Sequence, residues 1–407
     1  MKVIVAHPGQ QHSFKVASAL KHEGNLFKYM TAVYDKPDNI AMQLAHLLVR
    51  GNDIDKITKR KNKDLEEEDV ITYYTLPSLA VIVFSRFKAT KPFSLWLDRR
   101  ISSVFGRKVA KYAIKHKVDA VICFSMNEVS CFRYLRKHAP EIKRIVDYAN
   151  APIEYTRDIY NKDYEVNNIK KEAPLFWDRK ELKKLREGIS DTQLFIAPST
   201  FVKSGLKHYG VPEENIKVLS YGSNFTVKKT IQEEPIKIKF VYVGQVTFRK
   251  GIHHLLEAFS GMDNENISLD VVGEIPANSQ LYKRYKNKKN IRFHGQISHH
   301  EVKKVLENAN VFIFTSLADT FGLAVLEALS CGLPVICSSN AGVSDLIIDG
   351  ENGFVINPDD IVAIKEKIQF FVDNKNLIPV YSRKALDSAE KYTWKLYEKK
   401  LNNYLNS

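Results

Sequence analysis

The sequence predicts an α/β protein with two domains, each built on a parallel sheet. An apolar strand over residues 309–316 precedes a loop, a helix that starts near Phe321, and a second apolar strand from Val335. Strands and helices that alternate in this way form parallel sheets. The chain has 407 residues, 44% of them hydrophobic, which is enough apolar material for two ordinary cores.

The first domain opens with a strand over residues 2–6, a loop that contains Gly9, and a helix over about 14–23. Later strands are expected at 119–124, 144–148, 194–197 and 216–219. The polar stretch 56–69 changes from basic to acidic, which is typical of a surface excursion. Because the loop after the first strand lacks the GxGxxG pattern, we do not expect a dinucleotide site there.

The second domain repeats strands and helices from residue 236 to about 386. Between the domains lies a polar run, 226–235, whose Lys, Gln and Glu residues are typical of a linker. We therefore assign residues 1–228 to the first domain and 229–386 to the second. A final helix is expected over about 387–405.

Two carboxylates, Asp319 and Glu327, flank the start of the helix that begins near Phe321. Gly322 marks the beginning of this helix, and the Gly332–Pro334 break marks its end. In parallel units ligands bind beyond the carboxyl ends of the strands, which is where residues 316–322 fall. The free N–H groups of the first helical turn carry partial positive charge. The pattern therefore predicts a site for a diphosphate on a hydroxyl-rich ligand.

Short sequence blocks follow one another in order along about half of the chain. They cover residues 197–203, 210–222, 243–245, 249–252, 255–259, 293–297, 319–327 and 345–355. Together they resemble retaining glycosyltransferases of the GT-B, glycogen-synthase-like type, particularly glycosyltransferase family 4. The resemblance implies two Rossmann-like domains that face each other across a crevice, with the C-terminal helix, 387–407, packed back on the first. It also implies transfer of a sugar from a nucleotide-sugar donor with retention of configuration.

The resemblance assigns roles to residues of the second domain. Lys250, with Arg249 beside it, would place a cation on the donor diphosphate, whose charge grows as the glycosidic bond breaks. Asp319 would contact the transferred sugar, although the family usually carries the longer Glu there, and Asp also suits a helix N-cap. Glu327 would accept hydrogen bonds from two ribose hydroxyls. Gln245 stands where the family usually has Arg, so Arg249 is a candidate to replace that cation.

The other donor-binding positions implied by the resemblance are mainly backbone positions near the crevice. They are Gly9, Gly244, Gly295, Ile297, Phe321, Gly322 and Leu323. Asn150 aligns by its place after a strand with a histidine that many relatives hold near the reacting centre. Asn can form hydrogen bonds but cannot act as a general base, so its presence favours proton transfer to the departing diphosphate oxygen. Glu128 is a reserve candidate for a carboxylate on the acceptor side.

The formal charge of +14 lies entirely in residues 1–230, because residues 231–407 carry equal numbers of basic and acidic side chains. Within residues 84–108, basic and apolar side chains alternate and only one acid, Asp98, occurs. The basic residues are Arg86, Lys88, Lys91, Arg99, Arg100, Arg107 and Lys108; the apolar ones are Phe87, Phe93, Trp96, Leu97, Ile101 and Phe105. This mixture predicts peripheral docking on an anionic membrane surface. Pro92 is expected to break the segment into pieces.

Composition argues against several other functions. Four cysteines without CxxC spacing argue against a zinc site or disulfides and favour a cytoplasmic protein. The N-terminus reads as a strand and not as a signal peptide, and the longest strongly apolar run, 76–84, is too short for a membrane span. Asp359 and Asp360 fall in a late loop, so we expect no essential metal and no cofactor.

The expected partners are a nucleotide-sugar donor and a glycan or lipid-linked acceptor, in cell-surface polysaccharide biosynthesis. Two alternatives keep the fold and change the reaction: a nucleotide-sugar epimerase and a phosphorylase. A third, from another class, is a basic nucleic-acid-binding protein. No helix-turn-helix pattern or RNA-binding aromatic signature supports it, so no nucleic-acid partner is expected.

Overall fold

The structure is a computed structural model that describes residues 1–9, 12–36, 39, 41–43, 60–85, 87, 89–169, 179–223, 225, 233–262, 264–276 and 278–406. Its strands form two parallel sheets. The first contains β1 Val3–Ala6, β2 Leu26–Thr31, β3 Val70–Thr72, β4 Ala120–Phe124, β5 Lys143–Asp147, β6 Leu194–Ala197 and β7 Ile216–Val218. The second contains β8 Ile238–Val243, β9 Ile267–Val272, β10 Ile291–Gly295, β11 Val311–Phe314, β12 Val335–Ser338 and β13 Gly353–Ile356. The predicted α/β class with two parallel-sheet domains is confirmed.

Helices connect the strands in both domains. In the first they are α1 Ser13–His22, α2 Thr75–Phe84, α3 Lys91–Lys115, α4 Val129–His138, α5 Ile153–Val166, α6 Arg179–Asp191 and α7 Thr200–His208. In the second they are α8 Ile252–Ser260, α9 Gln280–Tyr285, α10 His299–Glu307, α11 Leu323–Ser330, α12 Ile361–Asp373 and α13 Ile378–Ala389, and α14 Trp394–Asn406 follows. Within the described residues, no helix combines the length and the apolar character that a membrane crossing requires.

The order of the strands places a switch point in the middle of each sheet. The first sheet runs β3-β2-β1-β4-β5-β6-β7 and the second β10-β9-β8-β11-β12-β13. Thus β1 lies between β2 and β4, and β8 lies between β9 and β11. Loops that leave the carboxyl ends of two such strands diverge and leave a crevice where ligands bind. In the second domain those loops are the ones after β8 and β11.

Several of the predicted strands are buried along their whole length. Every residue of β1, β4, β11 and β12 is buried, as expected for strands covered by helices on both faces. No strand was predicted at the positions of β2 and β3. The first half of β2 is only half-buried and β3 has three residues, so neither carries a strong apolar signal.

Pro92 does not break a helix, which corrects the prediction for residues 84–108. α3 runs without interruption for 25 residues from Lys91, and Pro92 lies in its first turn. Proline is tolerated there because the N–H groups of the first turn have no partner within the helix. The break lies earlier, between α2 and α3. The side chain of Ser94 closes this hairpin by donating to the Val81 carbonyl at 3.1 Å.

The helix expected over 387–405 is two helices, α13 and α14, separated by residues 390–393. α14 packs against α1: the Asn402 amide donates to the Ala19 carbonyl at 2.8 Å and accepts from the Asn25 amide at 2.9 Å. Near the start of α14 the chain passes Gly222, where an added Cβ would lie 2.1 Å from the Trp394 nitrogen. Only glycine allows so close a crossing. The predicted domain boundary at 228 lies outside the described residues.

Candidate functional site

A cleft of about 1390 Å³ lies between the two domains. Its first-domain wall includes residues 125–127, Asn150 and Tyr160, and its second-domain wall includes Lys250 and Asp319. Lys250 follows β8 and Asp319 follows β11, the two strands beside the switch point. The topology therefore brings together two residues that lie far apart along the chain.

Lys250 and Asp319 form an ion pair. The Lys250 Nζ donates to Asp319 Oδ2, and both side chains are largely buried. Asp319 Oδ1 accepts a second hydrogen bond from the Phe321 backbone N–H at 3.2 Å. The N-cap of α11 is Gly322, so Asp319 is not the N-cap and instead holds the loop before the helix. Asp319 therefore holds the Lys250 ammonium group in a fixed position at the cleft.

The turn that carries Lys250 depends on a glycine. Gly251 has φ +61, in the left-handed region. A Cβ on Gly251 would lie 1.8 Å from the Thr315 carbonyl oxygen, which is a severe steric clash. The hydroxyl of Thr315 also donates to the Gly251 carbonyl at 2.9 Å. The turn after β8 is therefore packed directly on the end of β11.

Arg249 and Gln245 also line the cleft and contact each other. An Arg249 guanidinium nitrogen donates to Gln245 Oε1 at 3.1 Å, and Gln245 Nε2 donates to Glu274 Oε2 at 3.3 Å. The guanidinium thus lies beside the position where the family usually carries its own arginine. This geometry is compatible with Arg249 supplying the second cation.

The start of α11 faces the cleft through Phe321, Gly322 and Leu323. Gly322 has φ +87, so this tight entry to the helix also requires glycine. Glu327 lies one turn further along α11 and does not line the cleft. Its Oε1 lies 3.4 Å from His299 Nε2, and burial raises the pKa of the Glu327 carboxyl. A nucleoside would reach Glu327 only by extending along α11 from the cleft.

Of the other predicted donor-binding positions, some line the cleft and some do not. Gly244 lines the cleft, whereas Gly9, Gly295 and Ile297 do not. The Gly9 N–H donates to His7 Nδ1 at 2.8 Å. Gly295 ends β10 with φ +70, and its carbonyl accepts from the Gly273 N–H at 2.9 Å. Ile297 is half-buried just before α10.

Asn150 is exposed and lines the cleft from the first domain, whereas Glu128 does not reach it. Glu128 is fully buried, and among the described residues neither carboxyl oxygen has a hydrogen-bond partner. Burial raises the pKa of this carboxyl to about 7. An added Cβ on Gly188 would lie 2.1 Å from Glu128 Oε1, so α6 leaves room for the carboxyl only because residue 188 is glycine. The structure does not place Glu128 as an acceptor-side carboxylate.

Asp163 of α5 forms a buried cluster with His253 and His254 of α8, which was not predicted from the sequence. His254 Nε2 lies 2.6 Å from Asp163 Oδ1, and His253 Nε2 lies 3.1 Å from Oδ2. Such donors could hold a metal ion. However, a histidine that binds a metal normally donates its second N–H, and His253 Nδ1 has no partner among the described residues. The only signal in the sequence is the doubled histidine that begins three residues after Lys250.

The fold as a whole has the GT-B architecture, two Rossmann-like domains on either side of a cleft. Over the full chain it is similar to a sucrose-phosphate synthase from Thermosynechococcus elongatus, with a TM-score of 0.65, 16% identity and 98% of that chain covered. It is equally similar to the Anabaena protein HepE, which was crystallised in complex with UDP, with a TM-score of 0.65, 14% identity and full coverage of both chains.

Residues 224–389 match the family described as "Glycosyl transferases group 1". The resemblance to group 1 GT-B glycosyltransferases that the sequence blocks carry is thereby confirmed.

Curated relatives agree with this match. An O-antigen chain mannosyltransferase of Escherichia coli is 25% identical over 52% of this chain and 60% of its own length. A capsular polysaccharide biosynthesis glycosyltransferase of Staphylococcus aureus is 27% identical over 47% of this chain and 57% of its own length. A sulfoquinovosyl transferase of Arabidopsis thaliana is 27% identical over 42% of this chain and 33% of its own length. The chain thus aligns with between about a third and three fifths of these relatives.

Proposed function

We propose that this protein transfers a sugar from a nucleotide-sugar to a glycan or lipid-linked acceptor, with retention of anomeric configuration, in the synthesis of a cell-surface polysaccharide. The observation that carries the proposal is the buried Lys250–Asp319 pair beside the first turn of α11 in the interdomain cleft. A lysine and free helical N–H groups together favour a diphosphate. Relatives that act on O-antigen chains and capsular polysaccharide support the product class.

The reaction follows from the charges at the cleft. The bond between the sugar's anomeric carbon and the diphosphate oxygen breaks, and a bond to the acceptor hydroxyl oxygen forms on the same face. Lys250 stabilises the negative charge that grows on the departing diphosphate. Asn150 cannot remove a proton, so the acceptor's hydroxyl proton passes to the departing phosphate oxygen. Asn150 instead donates or accepts a hydrogen bond with the bound sugar.

No metal or other cofactor has a part in this proposed scheme. Lysine, arginine and the α11 N–H groups supply the positive charge that a bound divalent cation supplies in other phosphate sites. Donor turnover should therefore be the same before and after dialysis against EDTA. A loss of activity that Mg²⁺ or Mn²⁺ restores would contradict this part of the proposal.

We further propose that the α2–α3 hairpin docks the protein on the inner face of an anionic membrane, from which a lipid-linked acceptor would be reached. Large apolar side chains of the hairpin are exposed: Leu76 60%, Phe87 60%, Phe93 50% and Trp96 52%. Thr75 is the only buried residue of α2. The Arg100 guanidinium lies 5.6 Å from the centre of the Trp96 ring, which suits an interface between lipid and water. Arg86 and Lys88 lie outside the described residues.

The donor is tested first by thermal denaturation of the purified protein with UDP, GDP, dTDP, ADP or a DNA oligonucleotide. Stabilisation by a nucleoside diphosphate and not by the oligonucleotide is expected. The matching nucleotide-sugars are then tested for slow hydrolysis, and the anomeric configuration of the released sugar is read by NMR. Stabilisation by oligonucleotide alone would favour a nucleic-acid-binding protein. Phosphate-dependent breakdown of a glycan without a nucleotide would favour a phosphorylase.

Membrane docking is tested by sedimentation with vesicles that contain anionic lipid. A variant with Phe87, Phe93 and Trp96 changed to serine should bind vesicles much less than the wild type, because its apolar contacts with lipid are lost. The matched control changes Val362 and Val380 to serine, two exposed apolar residues of the second domain. Equal loss of vesicle binding in both variants would refute docking through the hairpin.

A further inference from the structure

Helix α5 of the first domain begins three residues after Asn150, and its inner face crosses to the second domain. Tyr160 and Asp163 lie three residues apart on this helix, so they project on the same side. The Tyr160 hydroxyl donates to the Ala318 carbonyl at 3.1 Å. Asp163 accepts from His254 and from His253 at 2.6 and 3.1 Å.

These hydrogen bonds join α5 to the two segments that carry the Lys250–Asp319 ion pair of the cleft. Ala318 directly precedes Asp319 in the loop after β11. His253 and His254 open α8, directly after the turn that contains Lys250 and Gly251. One helix face of the first domain therefore holds both sides of the Lys250–Asp319 pair, although it belongs to neither segment.

The contacts are buried, and they favour an ionised Asp163 beside a neutral His253. Burial opposes ionisation of Asp163, yet the hydrogen bonds from His253 and His254 outweigh it and lower the pKa of Asp163 to about 2. Burial lowers the pKa of His253, which favours the neutral imidazole. In the part of the chain that the structure describes, the titratable groups that act on Asp163 and His253 are the other members of this cluster. A carboxylate between two imidazole donors is thus stable only while both domains contribute.

We propose that Tyr160 and Asp163 are positioning residues that align Lys250 with Asp319 when the two domains close. Domain closure and assembly of the reacting pair are then the same event, because the contacts that close the domains also fix both segments. Without these contacts the second domain still offers its phosphate-binding groups, but their direction relative to Asn150 is no longer set. This inference rests on the proposed function for its kinetic consequences and on the interdomain contacts alone for its structural ones.

The kinetic test uses Asp163→Asn and Tyr160→Phe, with Asp158→Asn on the exposed face of the same helix as the matched control. The phenylalanine variant keeps the ring and removes only the hydroxyl that reaches Ala318. Each of the two test variants should lower kcat for donor hydrolysis about 10- to 100-fold, because small misalignments of reacting groups have effects of this size. The KM for the donor should change less than about threefold, since the phosphate-binding groups remain. The control should match the wild type.

The structural test does not need activity. Small-angle X-ray scattering should show a smaller radius of gyration for the wild type than for Asp163→Asn, with and without the nucleoside diphosphate that stabilises the protein most. A double-mutant cycle of Asp163→Asn with His254→Gln in thermal unfolding should show coupling across the domains. If no donor is turned over, the proposed function fails while scattering and the cycle still decide this inference.

Three results would overturn the positioning role. The first is a kcat and a radius of gyration of Asp163→Asn and Tyr160→Phe equal to those of Asp158→Asn. The second is a fall in kcat/KM that comes wholly from KM. The third is binding of one Zn²⁺ per chain that Asp163→Asn abolishes, since the cluster would then be a metal site. If Asp163→Asn does not fold, Tyr160→Phe alone provides the decisive comparison.

Discussion

Replacing Glu128 by glutamine should stabilise the folded protein at alkaline pH and have little effect near pH 4.5. The Glu128 carboxyl is fully buried at the start of α4, with no hydrogen-bond partner for either oxygen among the described residues. An ionised carboxylate in such a place loses its hydration. Burial therefore raises the pKa of Glu128 to about 7, and the backbone N–H groups of residues 126–128 and the charge of Lys184 only partly oppose this.

The direction of the pH dependence follows from proton binding in the two states. The unfolded carboxyl loses its proton near its ordinary pKa of 4.5, whereas the folded one keeps it until about pH 7. Between these values folding takes up a proton, so the free energy of unfolding falls as the pH rises, and above pH 7 the whole penalty is present. This rise in the pKa of Glu128 corresponds to a loss of about 3 kcal/mol in the free energy of unfolding, at 1.36 kcal/mol per pKa unit. Glutamine has nearly the same shape and never ionises, so it removes this penalty.

The measurement is the melting temperature by differential scanning calorimetry at pH 8.5 and at pH 4.5. The Glu128→Gln variant should melt at a higher temperature than the wild type at pH 8.5, and the advantage should nearly vanish at pH 4.5. Glu141→Gln, an exposed substitution in the same domain, is the control and should show no such difference. A variant that melts at a lower temperature than the wild type at pH 8.5 would show that Glu128 has a partner or is solvated. The same conclusion would follow if the difference in melting temperature between variant and wild type were equal at both pH values.

Three further substitutions test the second domain. Lys250→Ala should lower donor turnover by more than tenfold, about 1.4 kcal/mol of barrier, in a protein that still folds, while Lys239→Ala at the exposed start of β8 should leave turnover unchanged. Glu327→Ala should weaken binding of the free nucleoside diphosphate in calorimetric titration; unchanged binding would leave Glu327 with a structural role only. Gly251→Ala should lower the melting temperature because its Cβ collides with the Thr315 carbonyl, and a wild-type melting curve would disprove that the turn is rigid.

Two strands of the second domain, β11 and β12, were predictable because they are buried along their whole length. β11 and β12 occur where residues 309–316 and 335–337 predict strands, and α11 lies between them. Such runs indicate burial on both faces and need no knowledge of their neighbours. The sequence blocks also located Lys250 and Asp319, and both do line the cleft. The catalytic and donor-binding roles of these residues stay predictions.

The first domain was harder to predict. β2 and β3 carry weak apolar signals, and the long helix α3 was expected to break at Pro92 although proline is compatible with a first turn. Glu128 was a candidate from its place after a strand, yet its side chain turns inward beneath α6. The direction of a side chain beyond the end of a strand depends on which element packs over it. The local sequence pattern does not reveal that element.

The sequence by itself determined the alternation of strands and helices, the glycine turns and the ordered blocks of the second domain, because these depend on residues close together along the chain. Only the tertiary structure decided that Lys250 pairs with Asp319, and that Asp163 of the first domain holds the histidines beside them. These contacts join segments 69 and 91 residues apart. They exist because the strand order places β8 beside β11 and because the closed domains bring α5 against α8. Hydrophobic periodicity specifies which face of an element is buried, but the partner across that face is set by the packing of the whole chain.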